Sequence, residues 1–154
     1  MAACTVTWQH SISIMGVPFT VKVPVRFGDV DHAGLVYYPR YFQYFHNAFE
    51  DLIAAGGVGY RRLLDERRLG CPTVHARCDY QRPLRWEDVV EIAVSVIKIG
   101  RSSAVFRYRG SLRDAPVCEA QVTVVCTNLD TFRSEPWPDD LRTIWETRLE
   151  ETSP

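Results

Sequence analysis

The hydrophobic period of this chain changes at Pro39 and changes back at Pro72, and that double switch restricts the fold more than any other feature. Before it, Val21, Val23, Val25 and Phe27 alternate with Thr20, Lys22, Pro24 and Arg26, the two-residue period of a strand with one buried face. Pro24 marks an edge or a bulge, because it lacks the N–H a central strand needs. From Pro39 onward Tyr41, Phe45, Ala48 and Leu52, joined by Phe42, Phe49 and Ile53, recur at three- and four-residue spacing. Gln43, His46, Asn47, Glu50 and Asp51 take the other side. This pattern predicts an amphipathic helix over 39–55, roughly 25 Å long, with Pro39 at its first position and Gly56-Gly57 ending it. A shorter helix over 60–68 is stopped by Gly70 and Pro72.

After Pro72 four segments keep period two. They are Val74, Ala76, Cys78 and Tyr80; Val90, Ile92, Val94 and Val96; Ala104, Phe106 and Tyr108; and Cys118, Ala120, Val122, Val124 and Cys126. The connections at 83–88, 100–102 and 113–116 are short, as antiparallel neighbours require. A further strand is expected over 5–14, with Gly16-Val17-Pro18 as its turn, and a closing helix over 139–149 after Pro136-Trp137-Pro138. The order is strand, long helix, then four antiparallel strands. That is an α+β class in which the sheet must cover the apolar face of one helix.

The length of 154 residues suits one domain, 1–154, able to bury a core without disulfides or a structural metal. Lys plus Arg number 18 against 19 Asp plus Glu, so no global positive field collects nucleic acid or an anionic membrane. No apolar run approaches the ~20 residues that span a bilayer. The first residues carry no positive charge ahead of an apolar stretch, so no secretory signal is expected. Five cysteines, an odd number without C-x-x-C spacing, fit reduced thiols in the cytoplasm.

The densest candidate for chemistry is the loop over 27–39, with its D-x-D-x-x-G of Asp29, Asp31 and Gly34. A calcium loop would need an oxygen ligand and a Glu where Ala33 and Arg40 stand. A phosphatase nucleophile loop belongs to a parallel sheet, which the alternating strands oppose. The remaining reading is a carboxylate beside an open helix end. No Ser, Thr, Asp or Asn directly precedes Pro39, so the first helical N–H groups lack a side-chain cap. They either bind water, with Asp29 and Asp31 bonding the turn at Gly34, or form an oxyanion site for a carbonyl under attack. Cys71, His75 and Cys78 cluster in sequence, but His75 and Cys78 face opposite sides of a strand and a fourth metal ligand is absent. His46 and Glu50 lie one turn apart on the polar helix face, where Glu50 is a second candidate base.

The run from Phe27 to Tyr41 resembles the signature of the 4-hydroxybenzoyl-CoA thioesterase family of hotdog-fold acyl-CoA thioesterases. It has an aromatic, D-x-D, a Gly three residues on, an apolar-Val-aromatic-aromatic run and an aromatic at the helix start. Tyr80-Gln81-Arg82-Pro83 followed by Asp88 resembles that family's second pattern, and the strand order agrees over about 19–130. The resemblance implies a hotdog fold and hydrolysis of an acyl-CoA to free acid and CoA without metal or cofactor. It implies that Asp31 is the catalytic carboxylate, that the Tyr38 N–H polarises the thioester carbonyl, and that Asp29 orders the loop. His32 stands where members of that family often carry Pro.

It also implies CoA phosphate contacts from the turn holding Lys98, Arg101 and Ser102, with Arg82 and Arg85 as further candidates. The aromatic-dense stretch over 37–49 favours a small or aromatic acyl group. Hotdog proteins pair sheets edge to edge, so a homodimer at least, and a tetramer built from it, is expected, with sites shared at the protomer junction. The alternatives are a hotdog dehydratase or hydratase using His32 or His46, and a non-catalytic acyl-CoA-binding module.

Overall fold

The computed structural model describes residues 16–151. Its elements are β1 (Phe19–Pro24), α1 (Arg40–Ala55), α2 (Tyr60–Asp65), β2 (Leu69–Gly70), β3 (Thr73–Tyr80), β4 (Val89–Ile99), β5 (Ser103–Leu112), β6 (Ala115–Val125), β7 (Thr127–Asn128) and α3 (Asp139–Glu146). Five strands form one antiparallel sheet in the order β1-β4-β5-β6-β3, and β2 pairs with β7 beside it. The long helix lies in the hollow of the sheet, as the period switch required. The expected strand over 5–14 lies outside the described residues. No helix among the described residues is long and apolar enough to cross a membrane.

Aromatic packing holds helix and sheet together. The apolar face of α1 buries Tyr41, Tyr44, Phe45, Ala48, Phe49, Leu52 and Ile53. Opposite it the inward residues of the sheet, including Val90, Ile92, Val94, Phe106 and Tyr108, are fully buried. Phe45 stacks on Tyr108 at 5.0 Å, and Phe49 meets Phe106 at 5.2 Å and Trp145 of α3 at 5.6 Å. Each such side chain contributes about 1.5–3 kcal/mol by burial, and the offset and edge-on geometries add to it.

Several expectations are corrected. Phe27 does not continue the first strand: β4 begins at Val89, opposite Pro24, and the pairing runs out at Val25, whose N–H bonds the Asp88 carbonyl at 2.8 Å. It enters a 3-10 turn over Phe27–Asp29, with Phe27 exposed and edge-on to Trp86. The second helix stops at Asp65, because the chain reverses at Arg68 in a left-handed conformation (φ 52°) to pair β2 with β7. The connection over 83–88 is not a hairpin. It carries the chain from β3 at one edge of the sheet to β4 between β1 and β5, while β3 pairs with β6. Nor does β3 have a buried face along its length: seven of its eight residues are exposed and Cys78 alone is partly covered. The closing helix ends at Glu146, after which Leu149 bridges β4 at Val96 in parallel fashion.

Truncating Phe49 to Ala should lower stability by about 3–5 kcal/mol, as for other large buried aromatics. Phe132→Ala, at a side chain that is 81% exposed, should stay within about 0.5 kcal/mol. Denaturation midpoints at one fixed protein concentration compare the two.

Candidate active site

The loop between β1 and α1 is a small ladder closed by its own carboxylates. Val30 and Val36 form an antiparallel bridge. The Asp31 N–H donates to the Leu35 carbonyl at 2.8 Å, the Gly34 N–H to the Asp31 carbonyl at 2.9 Å, and the Tyr37 N–H to the Asp29 carbonyl at 2.9 Å. Gly34 takes φ 75° at the tip, a left-handed turn position that costs glycine nothing. The Asp29 carboxylate accepts the Arg26 N–H and the Tyr44 O–H, both at 2.8 Å, with the Arg40 guanidinium 3.9 Å from its other oxygen. Asp31 spends one carboxylate oxygen on the Ala33 N–H at 2.8 Å. Its second oxygen has no protein donor among the described residues and faces the exposed side of the loop.

The ladder ends where α1 begins. The Arg40 N–H turns back to the Tyr37 carbonyl at 2.8 Å, whereas the Tyr38 N–H meets no acceptor among the described residues. No side chain caps the helix. An uncapped start carries about half a positive charge from the macrodipole, which favours an anion or oxyanion there. The Tyr38 carbonyl is held by the Tyr80 hydroxyl at 3.0 Å, so the end of β3 fixes the peptide at the exit of the loop. Between them opens a cleft of about 300 Å³ lined by Leu35, Val36, Tyr38, Tyr41, Tyr80 and Arg82. Burial, with a smaller contribution from the Cys118 thiol, pushes the Tyr41 phenol up to about 12. Burial and then the Cys78 thiol also raise Tyr80. Both phenols stay protonated near neutral pH.

A sequence profile of the thioesterase-like superfamily matches residues 25–144, well over half of the chain. The chain belongs to the thioesterase-like superfamily. It is 37% identical over 119 residues to a 1,4-dihydroxy-2-naphthoyl-CoA hydrolase of Synechococcus elongatus, covering 77% of this chain and 88% of that protein. A putative esterase of Aquifex aeolicus is 29% identical over 104 residues, 68% of this chain and 80% of the other. In structure it resembles a 1,4-dihydroxy-2-naphthoyl-CoA thioesterase from Synechocystis, with a TM-score of 0.78 and 23% identity over 82% of this chain and 94% of that one. At that identity the likeness establishes the fold, and the fold is the expected hotdog.

In this thioesterase-like chain Asp31, Tyr38 and Arg82 come to one end of the sheet. Lys98, Arg101 and Ser102 do not join them. Val89 pairs with Pro24 at the loop end and Ile99 pairs with Ala104 at the other. The eleven residues of β4 therefore separate the two groups by ~33 Å at about 3.3 Å per residue. That far turn is held by its backbone: the Arg101 carbonyl accepts the Trp137 N–H at 3.0 Å and the Ser102 carbonyl the Cys126 N–H at 2.7 Å. Glu50 is paired with His46 at 2.9 Å, and His46 lines the space between α1 and β3 beside Phe42 and Phe49. Arg85 stays at the loop end, its backbone N–H on the Asp88 carboxylate at 2.7 Å. No three His, Cys, Asp or Glu side chains among the described residues converge on a metal position. Two contributors escaped the sequence reading. Tyr80 was legible only as part of a motif, and Tyr44 only as a core position, because nothing local shows where a phenol will point.

Cys78 lies beside this cleft, where the Cys118 thiol donates to its sulfur and holds it below the usual thiol range, burial opposing. Burial pushes Cys71 up to about 12 and Cys126 up to about 11, and the hydrogen bond to Cys78, followed by burial, raises Cys118. Of these four thiols Cys78 should alkylate fastest near pH 7.5, because the thiolate is the nucleophile. Site-resolved mass spectrometry after brief iodoacetamide treatment checks the order.

Proposed function

We propose that this thioester hydrolase acts on an aromatic acyl-CoA, with Asp31 as its catalytic carboxylate and the Tyr38 N–H as the donor to the thioester oxygen. The observation that carries the reading is the unpaired Tyr38 N–H at the uncapped start of α1, on the same ladder as an Asp31 oxygen that has no protein donor. As the carbonyl carbon is attacked, charge moves onto its oxygen, where the N–H and the helix end stabilise it. Collapse breaks the C–S bond, and the CoA thiol leaves as thiolate, its pKa near ~8.5 requiring no strong acid. Asp31 can form an anhydride that water then opens, or take the proton of an attacking water. On both routes water supplies one oxygen, and a proton released from that water converts the departed thiolate to the CoA thiol.

The aromatic preference is supported by a second space farther along α1. Between α1 and β3, Phe42, Phe45, Phe49, Tyr108 and Ala76 line a further cavity of about 90 Å³, about one to three turns beyond Tyr38. A flat ring gains about 0.5–1.5 kcal/mol from such aromatic neighbours beyond its area burial. The relatives named for a dihydroxynaphthoyl-CoA substrate favour the same class.

We further propose at least a homodimer, built on β3, with a tetramer assembled from it. The outer edge of β3 has no partner among the described residues, and Val74 on it is 61% exposed; an open edge is a template for another strand. Two β3 strands joined antiparallel about a two-fold axis set the Thr73 end of one beside the Tyr80 end of the other. The far turn of the partner then approaches this site, and its Lys98, Arg101 and Ser102 meet the CoA phosphates while Arg82 contacts CoA from within. The free thiols of Cys71, Cys78, Cys118 and Cys126 accord with a cytoplasmic setting.

Asp31→Asn should lower kcat by at least about 100-fold with folding kept, and Glu50→Gln should cost far less. The reverse order moves the base to Glu50. Benzoyl-, hydroxybenzoyl-, butyryl- and palmitoyl-CoA are compared by kcat/KM in a free-thiol assay. A tenfold lead for palmitoyl-CoA removes the aromatic pocket, and absence of thiol release from all four leaves a hydratase or a binding module. Light scattering should give a dimer or larger at micromolar concentration, and Val74→Lys should shift it toward monomer. An active monomer contradicts the shared site.

A further inference from the structure

Tyr44 sits on the second turn of α1 with its ring almost wholly buried in the core, a place that a phenylalanine would fill equally well. Its hydroxyl nonetheless leaves the core and donates to the Asp29 carboxylate at 2.8 Å. The same carboxylate oxygen accepts the Arg26 N–H that closes the turn after β1. Arg40, one helical turn before Tyr44 on the same side of α1, donates to the Gly28 carbonyl at 3.3 Å. Two side chains of the helix thus grip two successive residues of the loop. Burial, and then the bond to Asp29, hold the Tyr44 phenol well above the usual tyrosine range, so the donor persists at every working pH.

What Asp29 controls makes this grip matter. Its backbone carbonyl accepts the Tyr37 N–H at 2.9 Å, the rung that immediately precedes Tyr38, and Asp31 stands two residues further along the same limb as Asp29, facing Leu35 across the ladder. The separation of carboxylate and oxyanion donor is therefore set by a rung whose own orientation on α1 depends on Tyr44. Resting on the reading of Asp31 and the Tyr38 N–H as the reacting pair, we infer that Tyr44 is a positioning residue for thioester hydrolysis: through Asp29 it holds the carboxylate and the helix N–H in register. Misplacing reacting groups by about 1 Å can cost on the order of 100-fold, and loss of one such tether should cost a part of that.

Tyr44→Phe keeps the ring and removes only the hydroxyl. Assayed on a hydroxybenzoyl-CoA, or on the best substrate of the panel, it should lose about tenfold in kcat with KM within twofold of wild type. Asp29→Ala, which removes the acceptor that an Asn amide oxygen would still provide, should show the same split, and the double variant should lose little more than either alone, because both break one tether. A purely structural role predicts a lower Tm with kcat of the folded enzyme unchanged, and that result overturns the inference. So does a rise in KM at constant kcat, which would make Tyr44 a substrate contact, or full additivity in the double variant. If Tyr44→Phe does not fold, Asp29→Ala alone decides by the same split. Asp31→Asn separates the two levels. Its inactivity beside a normal Tyr44→Phe sinks only the tether, whereas a fully active Asp31→Asn overturns the reading of the site and the tether with it.

Discussion

The packing of one aromatic helix face into one curved sheet is the constraint on which the rest of the molecule depends. Phe45 against Tyr108 and Phe49 between Phe106 and Trp145 leave α1 no other seat. A five-stranded sheet that covers such a helix must bend around it. At the start of α1 the loop leaving edge strand β1 then meets the end of edge strand β3: the loop delivers Tyr38, and the last residue of β3 supplies the hydroxyl that holds its carbonyl. The cleft is a consequence of wrapping.

That junction is also where polar groups are hardest to satisfy. A helix start without a side-chain cap leaves N–H groups directed at the loop. The loop answers with carboxylates of different standing. Asp29 is fully engaged, by Arg26, Tyr44 and the nearby Arg40, and holds the turn in shape. Asp31 spends one oxygen on its own turn, and its other oxygen meets no protein donor among the described residues. Two aspartates separated by a single residue therefore differ in engagement, because the first alone is reached by side chains of α1.

The two edges of the sheet are treated unequally. Along β4, β1 covers the first half, and the C-terminal segment completes the remainder: the Val96 N–H and carbonyl bond Arg148 and Glu150 at 2.8 Å each. Glu150 then accepts from Ser95, Arg107 and Arg109, tying that segment across the outer face. No comparable cover lies on β3 among the described residues, and its side chains are almost all exposed. The C-terminal segment thus completes the part of β4 that β1 leaves uncovered, whereas the outer edge of β3 has no partner strand among the described residues.

The elements were legible in the sequence because their cause is local. Period two at Val90 to Val96 and period 3.6 from Tyr41 to Ile53 report which side of each segment is apolar, and the helix over Arg40–Ala55 and strands β4, β5 and β6 follow from that. The Asp29–Gly34 motif and the missing cap before Pro39 likewise marked a hydrogen-bonded turn leading to an uncapped helix start. Periodicity carries no information about which strand lies beside which. It suggested β3 next to β4, whereas β3 lies beyond β6 at the far edge, and it extended β1 to Phe27 after its partner had ended. The left-handed turn at Arg68, the β2–β7 pair, the reach of Tyr80 to Tyr38 and of Tyr44 to Asp29, and the ~33 Å between the two groups of site residues are decided by segments far apart in sequence. Local chemistry sets what each segment buries; only the closing of the sheet around the helix decides what each buried segment then touches.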